Sequence, residues 1–312
     1  MEEEHWERGV IERLAGEGLR EQQRARRWGI FFKLLTFAFL FLGLFVAIGA
    51  LVEREASCAA KCTAVVELRG ELDAEGLASA ENVITGLRAA FKSKGTQGVV
   101  LRINSPGGSP VQAGQINDEI RRLRDKYPDK PIYAVVEEVC ASGAYYVAVA
   151  TDKIYVDKAS LIGSIGVIMD GFGFVGAMDK LGIERRALTA GDNKAFLDPF
   201  SPLVPEQRDY AQKLLAEIHQ QFIAAVKAGR GARLKESPEL FSGLVWSGAR
   251  GVDLGLADAL GSVGYVAREV IKAEDVVDFT VQESLTERVA RKFGTTTARS
   301  LVSSLQRSAG WR

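Results

Sequence analysis

In 312 residues, 40 Lys and Arg balance 40 Asp and Glu, giving a formal net charge of zero, with only 2 His and 3 Cys. The length supports one large domain or two small ones, and the charge balance argues against a general nucleic-acid binder. So few His and Cys leave little room for a Cys/His zinc site or for nucleophilic catalysis that relies on imidazole, so an enzyme built from this chain should move protons with another group.

The first element in chain order is a membrane span. Leu34–Leu51 contains 18 consecutive uncharged residues, and Trp28–Val52 holds a single charge, Lys33. A spanning helix needs about 20 apolar residues. Lys33 can snorkel to the headgroups, and Trp28 lies where an interfacial aromatic belongs. The 28 preceding residues and the length of the run argue against a cleaved signal peptide. Arg20, Arg24, Arg26 and Arg27 precede the span, whereas only Arg54 and Lys61 follow closely. This asymmetry predicts a cytoplasmic N-terminus and an exported remainder. Cys58 and Cys62 lie just beyond the span, and two readings stand: a disulfide within or between chains in an oxidising compartment, or two idle thiols in a stalk. The expected organisation is a cytoplasmic segment over 1–28, a transmembrane helix over 29–52, a stalk over 53–62, one α/β domain over 63–285 and a basic tail over 286–312.

Within the domain, alternation predicts a strand over Thr63–Leu68, and helical spacing predicts a helix over Glu81–Lys92. Gly98–Ile103 reads as a strand ending at Asn104-Ser105-Pro106-Gly107-Gly108, followed by a helix with Ile116, Ile120 and Leu123 on one face. Pro131–Val136 reads as a strand running into Cys140-Ala141-Ser142-Gly143-Ala144-Tyr145-Tyr146, which can open a helix, and Lys153–Val156 reads as another strand. Strands alternating with helices imply βαβ units and a mostly parallel sheet, whose ligands gather at the carboxyl ends of the strands. From Pro205 an amphipathic helix runs to about Val226, with His219 at the edge of its apolar stripe as a packing or surface residue. His5 lies across the membrane from the domain. Thr286–Arg312 carries six cations and one acid, and reads as a solvated tail.

Two glycine-containing loops carry the chemistry. Ser142 lies between Ala141 and Gly143 at a strand-to-helix junction, where small neighbours permit a tight turn and free amides stand nearby. An ordinary N-cap serine is the competing reading. Gly107 and Gly108 could turn amides toward an oxyanion, with Gly143 supplying another donor. A lysine is the natural base in place of His, provided burial keeps it neutral. Lys153 and Lys158 follow Asp152 and Asp157, which favour the charged form. Lys194 is followed by Ala195, Phe196 and Leu197, which could shield it, although Asp192 would keep it charged if it pointed inward. The residues alone make Lys194 a candidate and no more.

Five segments in order resemble the bacterial signal peptide peptidase A family in its short, single-repeat form. They are Arg102–Gly108, Ala141–Tyr146, Gly163-Ser164-Ile165-Gly166-Val167, Gly191–Lys194 followed by Asp198-Pro199-Phe200, and Val245–Gly248 leading to Gly255-Leu256-Ala257-Asp258. The resemblance implies a ClpP/crotonase-like parallel-sheet α/β domain behind one transmembrane helix, anchored in the bacterial inner membrane with the domain outside the cytoplasm. It implies Ser142 as nucleophile, Lys194 as general base, Ser164 as the residue holding that lysine, and Gly107, Gly108 and Gly143 as the oxyanion environment. Expected substrates are apolar peptides such as cleaved signal peptides. No metal, cofactor or nucleic acid is expected. Short members are expected to form homo-oligomeric rings or domes in which the lysine of one protomer can complete the serine of its neighbour. Cys140 and Ala144 depart from the residues usual there, and Cys140 raises the question of sensitivity to thiol reagents. Two other readings are an inactive membrane scaffold of the same fold and an acyl-CoA-processing enzyme of crotonase type.

Overall fold

Alternation along Cys62–Arg69 (β1) sends Ala64, Val66 and Leu68 into one buried layer and Val65 into another, so this strand is covered on both faces. In the computed structural model, which describes residues 2–51, 57–235 and 237–282, β1 belongs to an eight-stranded sheet. Its other strands are Thr96–Ser105 (β2), Ile132–Ala141 (β3), Lys153–Val156 (β4), Leu161–Gly163 (β5), Val245–Ser247 (β6), Ala259–Leu260 (β7) and Val276–Asp278 (β8). The main path runs β6-β5-β3-β2-β1-β8, with β4 and β7 branching from β3. Every pairing is parallel except β5 with β6.

One face carries the helices Ala80–Lys92 (α2), Pro110–Lys126 (α3) and Gly143–Ala148 (α4), together with Pro205–Arg230, named α6 below. Ser79 and Ser109 cap α2 and α3 by accepting from Asn82 N–H and Gln112 N–H. Val83, Leu87 and Phe91 of α2 and Ile116, Ile120 and Leu123 of α3 then meet Val99, Leu101 and Ile103 of β2 in the main core. Glu119 joins the two helices through Arg88 of α2 and also pairs with Arg122 one turn along its own helix. The Arg122 hydrogen bond, against some burial, is the main reason its carboxyl falls to about 2. On the opposite face Val65, Val100, Val135 and Tyr155 pack with Val266 in a smaller cluster.

The expected strand ending at Val136 in fact continues to Ala141. Glu137 and Glu138 interrupt the apolar pattern, but Glu137 pairs with Arg69 at 3.0 Å, and the strand carries the charge on its partly solvated face. Because β3 is this long, β4 pairs with Tyr133–Val136 and β5 with Val139–Ala141 along the same edge. The helix expected to end near Val226 also runs on to Arg230. Its last residue is buried: Arg230 Nε donates to the Gly255 carbonyl at 2.8 Å, and Nη1 pairs with Asp258 at 2.8 Å. Burial works to raise the Asp258 pKa, but the Arg230 and Ile154 N–H bonds outweigh it and hold the carboxyl below its usual range.

The N-terminal helix, Glu2–Leu51 (α1), forms a unit separate from the domain. It contains Gln22–Phe45, a stretch of 24 residues long and apolar enough to cross a membrane, with none of that stretch buried. Beyond it Cys58 and Cys62 are paired with each other, their Cα atoms 5.9 Å apart, so the pairing is within one chain. The basic tail and residues 52–56 of the span end and stalk lie outside the described residues.

Candidate active site

The register Ala141↔Gly163 brings the carboxyl ends of β3 and β5 side by side. The residue that follows each strand is a serine, so Ser142 and Ser164 stand in adjoining turns at the ends of paired strands. Ser142 N–H donates to the Gly163 carbonyl at 2.9 Å, and Ser164 N–H to the Leu244 carbonyl at 2.8 Å. Both serines have φ of 51°, a conformation that costs a non-glycine residue of order 1–3 kcal/mol. Ser142 occupies the N-cap position of α4, but its side chain makes no capping bond. The ordinary N-cap reading therefore does not hold, and the hydroxyl is left for other use.

The second loop closes on this turn. Leu72 N–H donates to Gly107 C=O at 2.8 Å and Ser109 N–H donates to Leu72 C=O at 2.8 Å, a parallel bridge between Leu72 and Gly108. In such a bridge the central residue's own N–H points away from its partner, so the Gly108 amide faces away from Leu72. A Cβ at Gly143 would lie 3.4 Å from that amide nitrogen. The Gly143 N–H stands at the free N-terminus of α4, and among the described residues neither amide has a hydrogen-bond partner. Gly107 differs from expectation: its N–H donates to Ser105 Oγ at 3.2 Å and is not free. Its part is close approach, since a Cβ there would lie 2.8 Å from Ser142 Cβ and 2.7 Å from Gly143 N.

Ser142, Gly108 and Gly143 open onto a cavity of ≈ 150 Å³. Its walls come from α3, Tyr146 of α4, Gly166–Ile168, and Ile218, Gln221 and Phe222 of α6, with no Lys or Arg among them. Whole-ligand clefts are generally larger, about 300–1,000 Å³, so this volume suits a side chain of a longer substrate. Two larger clefts, ≈ 570 and ≈ 720 Å³, are lined by charged residues and lack a serine beside free amides. The one serine lining them, Ser262, accepts from Tyr265 N–H as a cap. Lys153 and Lys158 line these clefts and not the Ser142 cavity, while Asp152 pairs with Arg124.

Lys194 lies elsewhere. From Gly166 to Tyr210 no residue is buried, and this arm holds only the short helix Val175–Leu181 (α5) before it enters α6. Lys194 is exposed in a turn of the arm, its N–H donating to Gly191 C=O at 3.1 Å, and it does not line the cavity. The cavity is thus lined by Ser142, Gly108 and Gly143, with Gly107 and Ser164 against the Ser142 turn, and Lys194 is not among its walls. Cys140 is fully buried behind the turn, and burial pushes its thiol pKa up, which argues against sensitivity to thiol reagents. Leu72 and Ser105, which orient the glycine loop, were missed from sequence. Ser105 carried the signal of a hydroxyl two residues before the first glycine, whereas Leu72 carried none.

The family model for peptidase family S49 matches residues 124–277, a range that contains Ser142, Ser164 and Lys194. The match over these residues, together with the relatives named SppA or protease 4, supports the signal peptide peptidase A family. A putative signal peptide peptidase SppA of Enterococcus faecium is 30% identical over 65% of this chain and 58% of its own length. A putative protease of Methanocaldococcus jannaschii is 32% identical over 62% of this chain and 63% of its own length. A protein of Brucella melitensis named Na(+)/H(+) antiporter NhaA is 45% identical over 57% of this chain but only 24% of its own length, so that name describes a polypeptide lying mostly outside the match. The chain therefore spans less than two thirds of each of these relatives. A solved membrane-bound stomatin-specific protease aligns with 72% of this chain at 12% identity and a TM-score of 0.40, too low to carry an argument. The fold here is a mixed α/β sheet, mostly parallel.

Proposed function

We propose that this chain is a membrane-anchored serine endopeptidase in which Ser142 is the nucleophile and Lys194 the general base. The observation that carries the proposal is Ser142 held at φ 51° with an uncapped side chain, beside the unpartnered amides of Gly108 and Gly143. The match to the peptidase S49 family supports a serine-type protease. In the proposed reaction Ser142 Oγ attacks the scissile carbonyl while neutral Lys194 takes its proton. The Gly108 and Gly143 N–H groups stabilise the oxyanion, and Lys194 returns the proton to the leaving amine. Water then hydrolyses the acyl-enzyme by the same route. Ser164, next to Ser142 in register, is the proposed hydrogen-bond partner of the lysine.

Lys194 is proposed to reach Ser142 of a neighbouring copy. A base lysine needs a desolvated setting, which its own chain does not give this exposed residue. The same arm exposes Ile168, Phe172, Leu181 and Leu188, an apolar set that asks for a partner surface. Apolar peptides, including cleaved signal peptides, are the proposed substrates. The apolar cavity and a helix able to hold the enzyme at the bilayer favour them, and the absence of a basic wall residue disfavours an acyl-CoA. A serine-reactive fluorophosphonate should label Ser142 in the wild type and not in Ser142→Ala. An unlabelled wild type would favour the inactive-scaffold reading.

The Cys58–Cys62 pairing supports an oxidising side for the domain, in line with the arginines before the span. External protease added to spheroplasts should therefore remove a C-terminal tag. A tag protected until the membrane is lysed would reverse the orientation.

A further inference from the structure

His219, expected as a packing or surface residue, makes a specific bond: its Nε2 lies 3.1 Å from the Ile165 carbonyl oxygen, 54 residues away in sequence. Because the partner is a carbonyl, this nitrogen must carry the hydrogen and donate. On α6, His219, Phe222, Val226 and Arg230 follow at spacings of three, four and four, one face of a helix. Phe222, Val226 and Arg230 are buried, so this stripe is the face applied to the domain. A polar anchor closes it at each end, Arg230 on the Gly255 carbonyl and His219 on the Ile165 carbonyl.

The position of Ile165 gives this bond its meaning. Ile165 is the last buried residue before the arm departs, and the next buried residue is Ala211, already on α6. The bond joins the outgoing and returning feet of the arm that carries Lys194. It also joins two walls of the Ser142 cavity, since Gly166–Ile168 follow Ile165 and Ile218, Gln221 and Phe222 flank His219. We propose that His219 is a positioning residue, a tether at the base of the arm that sets both the width of the cavity and the direction in which Lys194 is presented. The catalytic half of this proposal rests on the Ser142–Lys194 reading.

The test compares His219→Leu with His219→Gln in the full-length protein, by amide hydrogen exchange and by peptide turnover. Losing the donor should raise exchange about tenfold over residues 163–168 and 211–219 in the Leu variant, the equivalent of one buried hydrogen bond. It should also lower kcat about tenfold or more with a smaller change in KM, as expected for misplaced groups. His219→Gln, which keeps an N–H donor, should recover most of both. A packing role predicts the opposite order, with Leu tolerated and Gln worse, and that order would overturn the proposal. Altered exchange with unaltered turnover would overturn the positioning role. Exchange is read without catalysis, so it judges the tether even if Ser142 and Lys194 prove not to be the catalytic pair.

Discussion

Co-assembled Ser142→Ala and Lys194→Ala chains are expected to regain peptidase activity that neither variant has alone. Removing the nucleophile should cost more than about 10⁴-fold in kcat, and removing the base about 10²–10⁴-fold. If each site takes its serine from one protomer and its lysine from the next, random mixing restores about one site in four in a head-to-tail ring. The reason to expect this is geometric. Ser142, Gly108 and Gly143 face one cavity, whereas Lys194 is exposed on an arm with no buried residue. Mixing the two variants before assembly and measuring cleavage of an apolar peptide decides the matter. Activity near zero in the mixture, with both variants still assembling, would place the pair within one chain. Full activity in either single variant would remove that residue from catalysis.

The second large effect is expected at Gly108. Its φ of +139° is open to glycine and strained for any other residue, and a Cβ would overlap the Leu72 carbonyl oxygen. Gly108→Ala should therefore break the Leu72 bridge that keeps the Gly108 N–H turned away from Leu72 and unpaired. Loss of one oxyanion donor corresponds to about 10²–10³-fold in kcat. Gly114→Ala is the matched control: the site is open, lies within α3, and should gain up to about 1 kcal/mol of helix stability with activity unchanged. The measurement is kcat beside circular dichroism for both variants. Wild-type turnover in a folded Gly108→Ala protein would exclude this amide from oxyanion binding.

These two experiments divide along the line between what was legible in the sequence and what was not. The α/β class, the long apolar helix, four of the eight strands and the two loops could be read in advance, because each leaves a local trace. Period-two alternation marks β1, helical spacing marks α2, and an uncharged run of 18 residues marks the span. The continuation of β3 through Glu137 and Glu138 could not, because ion pairing to Arg69 depends on a strand 68 residues earlier. His219 was placed on the correct helix, but its partner is a backbone carbonyl, which has no signature in any residue type.

The zero net charge and the two histidines, taken with the glycine loops, determined the kind of chemistry to look for: a serine with some base other than imidazole. Only the tertiary structure decided how the parts are arranged. The register of β3 on β5 brought the turns of Ser142 and Ser164 together, the Leu72 bridge left the Gly108 amide unpaired while that of Gly107 bonds Ser105, and the arm left Lys194 exposed and off the walls of the Ser142 cavity. Composition and periodicity record what each residue prefers locally. Which amide is left unpaired, and which cavity a side chain lines, depends on contacts between residues far apart in sequence.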